Sequence, residues 1–394
     1  MKYNFDNLSD RHDTDCMKFD DLQEMFGRTD LTPLWVADMD FDVCPAITEA
    51  LQRRLDHRVY GYTSPREKYW QSIIDFARDE HGYNFSREEI NFVPGVIKGI
   101  IMALLYFTDR GDKVVIQPPV YHMFKFTVTG AQRTVVENPL KEGDDGHYKM
   151  DFEGLERIFQ QEHPKTMIVC NPHNPEGVCW DKATLSRVAR LAKEYGVMVL
   201  SDEIHSDLAL FGNRYTPFLE SCEEAKEVGI AYSAPSKTFN IPGIVSAWCV
   251  VKNPALRKGF FKWLDETEFS ENNIISLIAT ETAYRQGREW LHELRQYIEG
   301  NIVALEEFFH DNIPGIKPIR PQASFLVWLD CRALGLSRKQ LDDLFEDKAH
   351  LALNRGYIFG SEGIGFMRIN VATSREYLLK ALAQLAEAVK GLKK

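Results

Sequence analysis

Four short apolar runs in the middle of the chain limit its possible folds more than any other feature. Lys113-Val-Val-Ile-Gln117, Thr166-Met-Ile-Val-Cys170, Val197-Met-Val-Leu200 and Gly229-Ile-Ala-Tyr-Ser233 each read as a buried strand. The stretches between them leave room for helices. The clearest helix follows Asp181, an N-cap, with Leu185, Val188, Ala189 and Ala192 at helical spacing as far as Gly196. Strands that alternate with helices make a mainly parallel sheet covered on both faces. Such a sheet carries its chemistry in the loops beyond the carboxyl ends of its strands. Here those loops contain Asn171, Asp202 and Lys237: an amide, a carboxylate and an amine delivered to one edge.

A chain of 394 residues exceeds one simple core, so two domains are expected. The C-terminal part has a different pattern. Phe325–Leu329 and Phe366–Asn370 read as strands of a smaller mixed sheet. A last helix follows Ser374, with Leu378, Leu382, Leu385 and Val389 on one face. The expected division is a large domain over 46–279 and a small one built from 1–45 and 280–394. The net charge of -11 argues against nucleic acid or an anionic membrane as partner. No run reaches the roughly 18 apolar residues that span a bilayer. The stretch Met1–Leu8 lacks the apolar core of a signal peptide, so a cytoplasmic location is expected. Seven cysteines, with no C-x-x-C pair, read as reduced thiols and not as a disulfide framework or a zinc site.

Two helix starts stand out. Ser64-Pro-Arg-Glu67 has the form of a capping box, with serine at N-cap, proline at N1 and glutamate at N3. Val93-Pro-Gly-Val-Ile97 leads from a short strand into an apolar helix that runs towards Phe107. Backbone N–H groups at that helix start can bind a phosphate.

Lys237 lies in Ser233-Ala-Pro-Ser-Lys-Thr-Phe-Asn-Ile-Pro-Gly243, an unusual setting for a solvated charge. An amine is a nucleophile only when deprotonated, so such a lysine needs a site that lowers its pKa. Pyridoxal phosphate requires a lysine for its aldehyde, an acid at its ring nitrogen, a donor at its ring hydroxyl, a stacking aromatic and a phosphate cradle. Lys237, Asp202, Asn171, Tyr121 and the turn at Val93–Ile97 can supply these in turn. Taken singly, each has a plainer structural reading. Asp202-Glu203 reads as a cap pair, Tyr121 as core packing, Arg368 as a structural ion-pair partner and His205 as a hydrogen-bonded structural histidine. Their joint order and spacing favour the cofactor.

The chain also resembles a known family. The strings are Leu34-Trp-Val-Ala-Asp-Met-Asp-Phe41, Gly61-Tyr-Thr63, Pro118-Pro-Val-Tyr121, Asn171-Pro-His-Asn-Pro175, Ser201-Asp-Glu-Ile-His205, Ala234-Pro-Ser-Lys-Thr-Phe-Asn-Ile241 and Gly363-Ile-Gly-Phe-Met-Arg368. They are similar to those of fold-type I pyridoxal-phosphate enzymes of the class I/II aminotransferase superfamily. More narrowly, they resemble the MalY/PatB-type cystathionine β-lyases, the group that includes cystalysin. The resemblance implies an α/β fold, with a mainly parallel seven-stranded sheet between helices plus a smaller α/β C-terminal domain.

It also implies roles for single residues. Lys237 would carry the cofactor and move the Cα proton. Asp202 would pair with the ring nitrogen, Asn171 with the ring hydroxyl, and Tyr121 would stack on the ring. The backbone of Val96 and Ile97, with Ser233 and Ser236, would hold the phosphate, and His205 would lie at the cofactor. Arg368 would clamp the substrate carboxylate, with Ala37 and Tyr121 beside it. Tyr62 would reach the phosphate of a neighbouring subunit, which implies a homodimer.

Val245 stands where many aminotransferases of the superfamily carry arginine, and His205 where many carry tyrosine. Both departures are shared by the MalY-like lyases. His122 and the pair Asn354-Arg355 depart from the lyases too and bear on substrate preference. The implied activity is α,β-elimination from L-cystathionine or a related cysteine S-conjugate, giving a thiol, pyruvate and ammonia. Two alternatives are an aminotransferase acting on an amino acid and a keto acid, and a catalytically idle regulatory relative.

Overall fold

The computed structural model describes residues 2–143 and 146–393. Its main sheet has seven strands: β1 Ile90–Val93, β2 Lys113–Ile116, β3 Thr134–Glu137, β4 Thr166–Cys170, β5 Met198–Asp202, β6 Gly229–Ser233 and β7 Ala247–Val250. Their spatial order is β1-β7-β6-β5-β4-β2-β3. The strands from β6 to β3 pair in parallel, and β7 runs antiparallel to both of its neighbours. The four runs read from the sequence are β2, β4, β5 and β6, with β5 beginning and ending later than the run suggests. β4 is buried along its whole length. Met167 and Val169 enter one apolar cluster while Ile168 and Cys170 enter the other, because successive side chains leave opposite faces.

Helices cover both faces. Those that bear on the site are α1 Glu67–His81, α2 Val96–Phe107, α3 Lys182–Tyr195 and the short α4 Pro235–Thr238. The start of α3 is as expected: the Asp181 carboxylate accepts from the Thr184 N–H at 2.7 Å. Gly196 closes it in the left-handed conformation. The capping box at Ser64 does not form. α1 begins at Glu67 with Arg66 extended at its N-cap and no side-chain cap. Its buried face, Tyr69, Trp70, Ile73, Phe76 and Ala77, starts at the first turn after Arg66. Packing of that face, and not the local capping motif, sets where the helix begins.

The second sheet contains β8 Lys317–Ile319, β9 Leu326–Asp330, β10 Asn354–Arg355 and β11 Phe366–Asn370, in the order β8-β9-β11-β10. Every pairing in it is antiparallel, so it is not the mixed sheet expected. The short links between β8 and β9 and between β10 and β11 fold the chain straight back, which only antiparallel pairing allows. The long helix α5 Arg288–Asn312 and the final helix α6 Arg375–Lys390 pack against each other beside it. Ser374 caps α6 and accepts from the Tyr377 N–H.

The N-terminal segment is bonded to this second sheet. Thr32–Pro33 pairs in parallel with Leu351–Ala352, and the Asn370 side chain donates to the carbonyls of Val36 and Asp38, both at 2.6 Å. Those bonds fix the stretch around Ala37 over the edge of the main sheet. Among the described residues, no helix is long and apolar enough to cross a membrane. No cluster of three or more His, Cys, Asp or Glu there could hold a metal.

Candidate active site

β4, β5 and β6 end together: Cys170 pairs in register with Asp202, and Asp202 with Tyr232. Beyond those ends lies a cavity of about 340 Å³, within the range of cofactor pockets. α4 follows β6 and has Pro235 in its first turn, where a fixed φ suits a helix start. It carries Lys237 into the cavity, where Nζ donates to the Ala37 carbonyl at 2.5 Å. Burial lowers the Lys237 pKa to about 8. Asp38 and Asp202 oppose that shift and Arg368 adds to it.

Asp202 is buried at the floor, and the Ile204 N–H donates to its Oδ1 at 3.1 Å. Burial raises its pKa to about 6, against the Ile204 hydrogen bond and the charge on Lys237. A carboxylate so placed gains from a positive partner. His205 also lines the cavity. Burial first, then the charges of Lys237 and Arg368, push its pKa down to about 3, so the ring is neutral, and its Nδ1 has no hydrogen bond. Tyr121 forms part of the wall, its ring edge-on to His122 and Phe124.

The opposite wall is the start of α2. Gly95 precedes it at φ 114°, a conformation that side-chain-bearing residues rarely adopt. The first N–H groups of a helix have no partner within it, and Val96 and Ile97 both line the cavity, so this helix start can receive an anion. Ser236 lies on the same lining.

Lys237, Asp202, Tyr121, Ala37, Val96, Ile97, Ser236 and His205 therefore share one cavity. Four other expected residues stand differently. The Asn171 amide donates to the Thr216 carbonyl at 2.9 Å, and its N–H bonds to the Asp202 carbonyl, which fastens the ends of β4 and β5. Asn171 is not part of the lining; Asn174 is. The Ser233 hydroxyl donates to the Glu203 carbonyl at 3.1 Å, away from the lining. Arg368, buried in β11, meets the wall through Asn174, whose Oδ1 accepts from it at 2.9 Å. It also donates to the Trp35 carbonyl and to Asn354, lies 4.9 Å from the Phe359 ring centre, and leaves its Nε without a partner. Burial lowers its pKa to about 10, so it stays charged at neutral pH. Tyr62 is fully exposed beside a separate hollow, with Leu55, Tyr60 and Ile274.

Asn174, Lys98 and Cys170 are lining residues that sequence reasoning missed. Both asparagines of Asn171-Pro-His-Asn-Pro175 were visible, and the first directly follows β4, where its backbone N–H bonds to the Asp202 carbonyl and its side chain to the Thr216 carbonyl.

A family model described as aminotransferase class I and II matches residues 29–385. The chain belongs to this family. Within it, the chain is 40% identical to cystathionine beta-lyase PatB of Bacillus subtilis, over 98% of this chain and all of PatB. It is 31% identical to protein MalY of Escherichia coli, over 99% of this chain and all of MalY. Among solved structures, cystalysin from Treponema denticola, which contains pyridoxal 5'-phosphate, superposes with a TM-score of 0.94 at 33% identity, over all of both chains. The seven-stranded, mostly parallel sheet is thus the fold of the pyridoxal-phosphate aminotransferases.

The residues fit that cofactor. A buried carboxylate with a raised pKa, a desolvated lysine, an aromatic wall and an anion-binding helix start share a cavity of suitable volume.

Proposed function

We propose that the protein is a pyridoxal-phosphate-dependent C–S β-lyase, which cleaves L-cystathionine or a related cysteine S-conjugate. The observation that carries this reading is the meeting of Lys237, Asp202 and the Asn174–Arg368 pair at one cavity. It occurs in a chain similar over its whole length to a cystathionine β-lyase.

Bound pyridoxal phosphate accepts the electron pair left at the substrate Cα when its proton departs, so that a group at Cβ can leave. Lys237 removes that proton. With its pKa lowered to about 8 it is a competent general base near neutral pH. The protonated amine then returns the proton to the departing sulfur. Asp202 keeps positive charge on the ring nitrogen, and Asn174 takes the place expected of Asn171 at the ring hydroxyl. Tyr121 covers the ring, and His205, neutral, lies beside it. Val96, Ile97 and Ser236 hold the phosphate. Arg368 holds the substrate carboxylate from its place beside Asn174. With one water, L-cystathionine yields homocysteine, pyruvate and ammonia.

The test is release of pyruvate and thiol from a panel of cysteine S-conjugates, with no keto acid added. Turnover on at least one is expected. Turnover that requires a keto acid acceptor, with no pyruvate from any conjugate, would favour the aminotransferase reading.

The same proposal covers assembly. Tyr62, Tyr60, Val59 and Leu55 are exposed together, which supports a homodimer in which Tyr62 reaches the neighbour's phosphate. Tyr62→Phe is expected to weaken cofactor retention about tenfold, the value of one charge-assisted hydrogen bond. A monomer in solution with full activity would sink it. On this reading residues 46–279 carry the cofactor, and 1–45 with 280–394 carry Arg368. The pairing of Thr32–Pro33 with Leu351–Ala352 supports grouping the two ends.

A further inference from the structure

Behind the cavity floor lies a buried carboxylate that the chemistry above does not use. Asp207 is 3% exposed, on the short helical turn after His205. Its Oδ2 accepts from the Thr238 hydroxyl at 2.6 Å, and its Oδ1 meets His81 Nε2 at 2.6 Å. Arg295 on α5 donates to its backbone carbonyl at 2.7 Å and pairs with Glu80 beside His81. Thr238 is fully buried and is the residue directly after Lys237, at the end of α4.

A four-residue helix cannot hold its own orientation. α4 has a single turn, and no side chain caps its start. The Thr238–Asp207 bond is therefore a constraint on the turn that aims Lys237, and His81 at the end of α1 fixes the carboxylate from the other side. Burial alone would raise the Asp207 pKa. The bonds from His81 and Thr238 and the charge of Arg295 bring it below the ordinary carboxylate value, so Asp207 stays an anion able to accept both bonds.

We infer that Asp207 is a positioning residue for Lys237, acting through the Thr238 hydroxyl to hold the amine in line with the proton it moves. This rests on the reading of Lys237 as the cofactor-bearing base. A base misplaced by about 1 Å can lose a hundredfold in rate. Substrate binding through Arg368, on the other sheet, does not depend on the Thr238 bond.

The experiment compares Thr238→Val, Thr238→Ser and Asp207→Asn as holoenzymes. Three quantities are read: kcat, KM, and the pH midpoint of the visible absorbance that reports the cofactor–lysine linkage. Thr238→Val is expected to lower kcat by about tenfold to a hundredfold, leave KM within about twofold, and move the pH midpoint. Thr238→Ser is expected to restore all three, and Asp207→Asn to resemble Thr238→Val. Unchanged kcat and midpoint in Thr238→Val would overturn the inference. So would equal losses in the valine and serine variants, or an Asp207→Asn protein that fails to fold while Thr238→Val behaves normally. The underlying reading is checked separately, by borohydride fixing the cofactor to Lys237 in the unsubstituted protein. If that fails, the role of Lys237 falls first.

Discussion

Lys237→Ala is expected to abolish pyruvate release, with a loss of at least about 10⁴-fold, the upper end of what one acid–base group supplies. No nearby group can take over. His205 has its pKa pushed down to about 3 and is too weak a base, and burial raises the Tyr121 hydroxyl above its ordinary value. The variant should still fold, because Lys237 makes one hydrogen bond, to a carbonyl that stays at the cavity surface. Its absorbance should lack the lysine-linked band while added cofactor is still held non-covalently. Pyruvate release near the unsubstituted rate would remove Lys237 from the mechanism. The same amine sets a pH dependence with a definite sign. A lowered pKa means that the neutral form dominates above about 8, well below the ordinary 10.5. Uptake of pyridoxal phosphate by the apoprotein should therefore rise with pH and level off just above 8. A rate still climbing towards 10.5 would mean that the amine is not desolvated.

The middle of the main sheet was legible because its strands announce themselves, whereas the edge strand Thr134–Glu137 and the antiparallel Ala247–Val250 were not read from the sequence. Thr166–Cys170 and Gly229–Ser233 are mainly apolar runs buried along their whole length, and the helix after Asp181 has a cap, a stripe and a closing glycine. Strand ends then point to the site, since a parallel sheet leaves its loops at one edge. What misled was local. Ser64-Pro-Arg-Glu67 carries capping chemistry, but the helix start follows its buried face, set by distant residues. Asn171 and Asn174 are the same residue type three positions apart. Only the geometry of the loop assigns one to the sheet edge and the other to the cavity and Arg368. Ser233 and Ser236 divide in the same way, one bonded inward to Glu203 and the other on the lining. The bond from Arg368 to the Trp35 carbonyl joins segments more than three hundred residues apart, which no local pattern encodes.

Asp202→Asn is the second large effect, and it separates function from fold. The amide keeps an oxygen for the Ile204 N–H but cannot hold positive charge on the ring nitrogen. Turnover should fall by about 10²–10³-fold, as when one preorganised electrostatic contact is lost, with KM nearly unchanged because Arg368 still binds the substrate. The stability effect has the opposite sense. A carboxylate whose folded pKa is raised to about 6 is disfavoured when ionised. Its contribution to stability is full below the ordinary carboxylate value and is lost as pH rises through about 6. At pH 7 the apoprotein therefore bears the cost of a buried, unpaired charge, and Asn removes it. Glu203, raised to about 7 mainly by burial, is pushed up further by the Asp202 charge, so Asp202→Asn relieves Glu203 as well, in the same sense. The Asp202→Asn apoprotein should melt no lower than the unsubstituted apoprotein at pH 7, yet gain less on adding pyridoxal phosphate, because the ion pair that offsets the burial of Asp202 cannot form. An apoprotein that melts well below the unsubstituted one would make Asp202 a structural residue. Unchanged turnover would take it out of the chemistry.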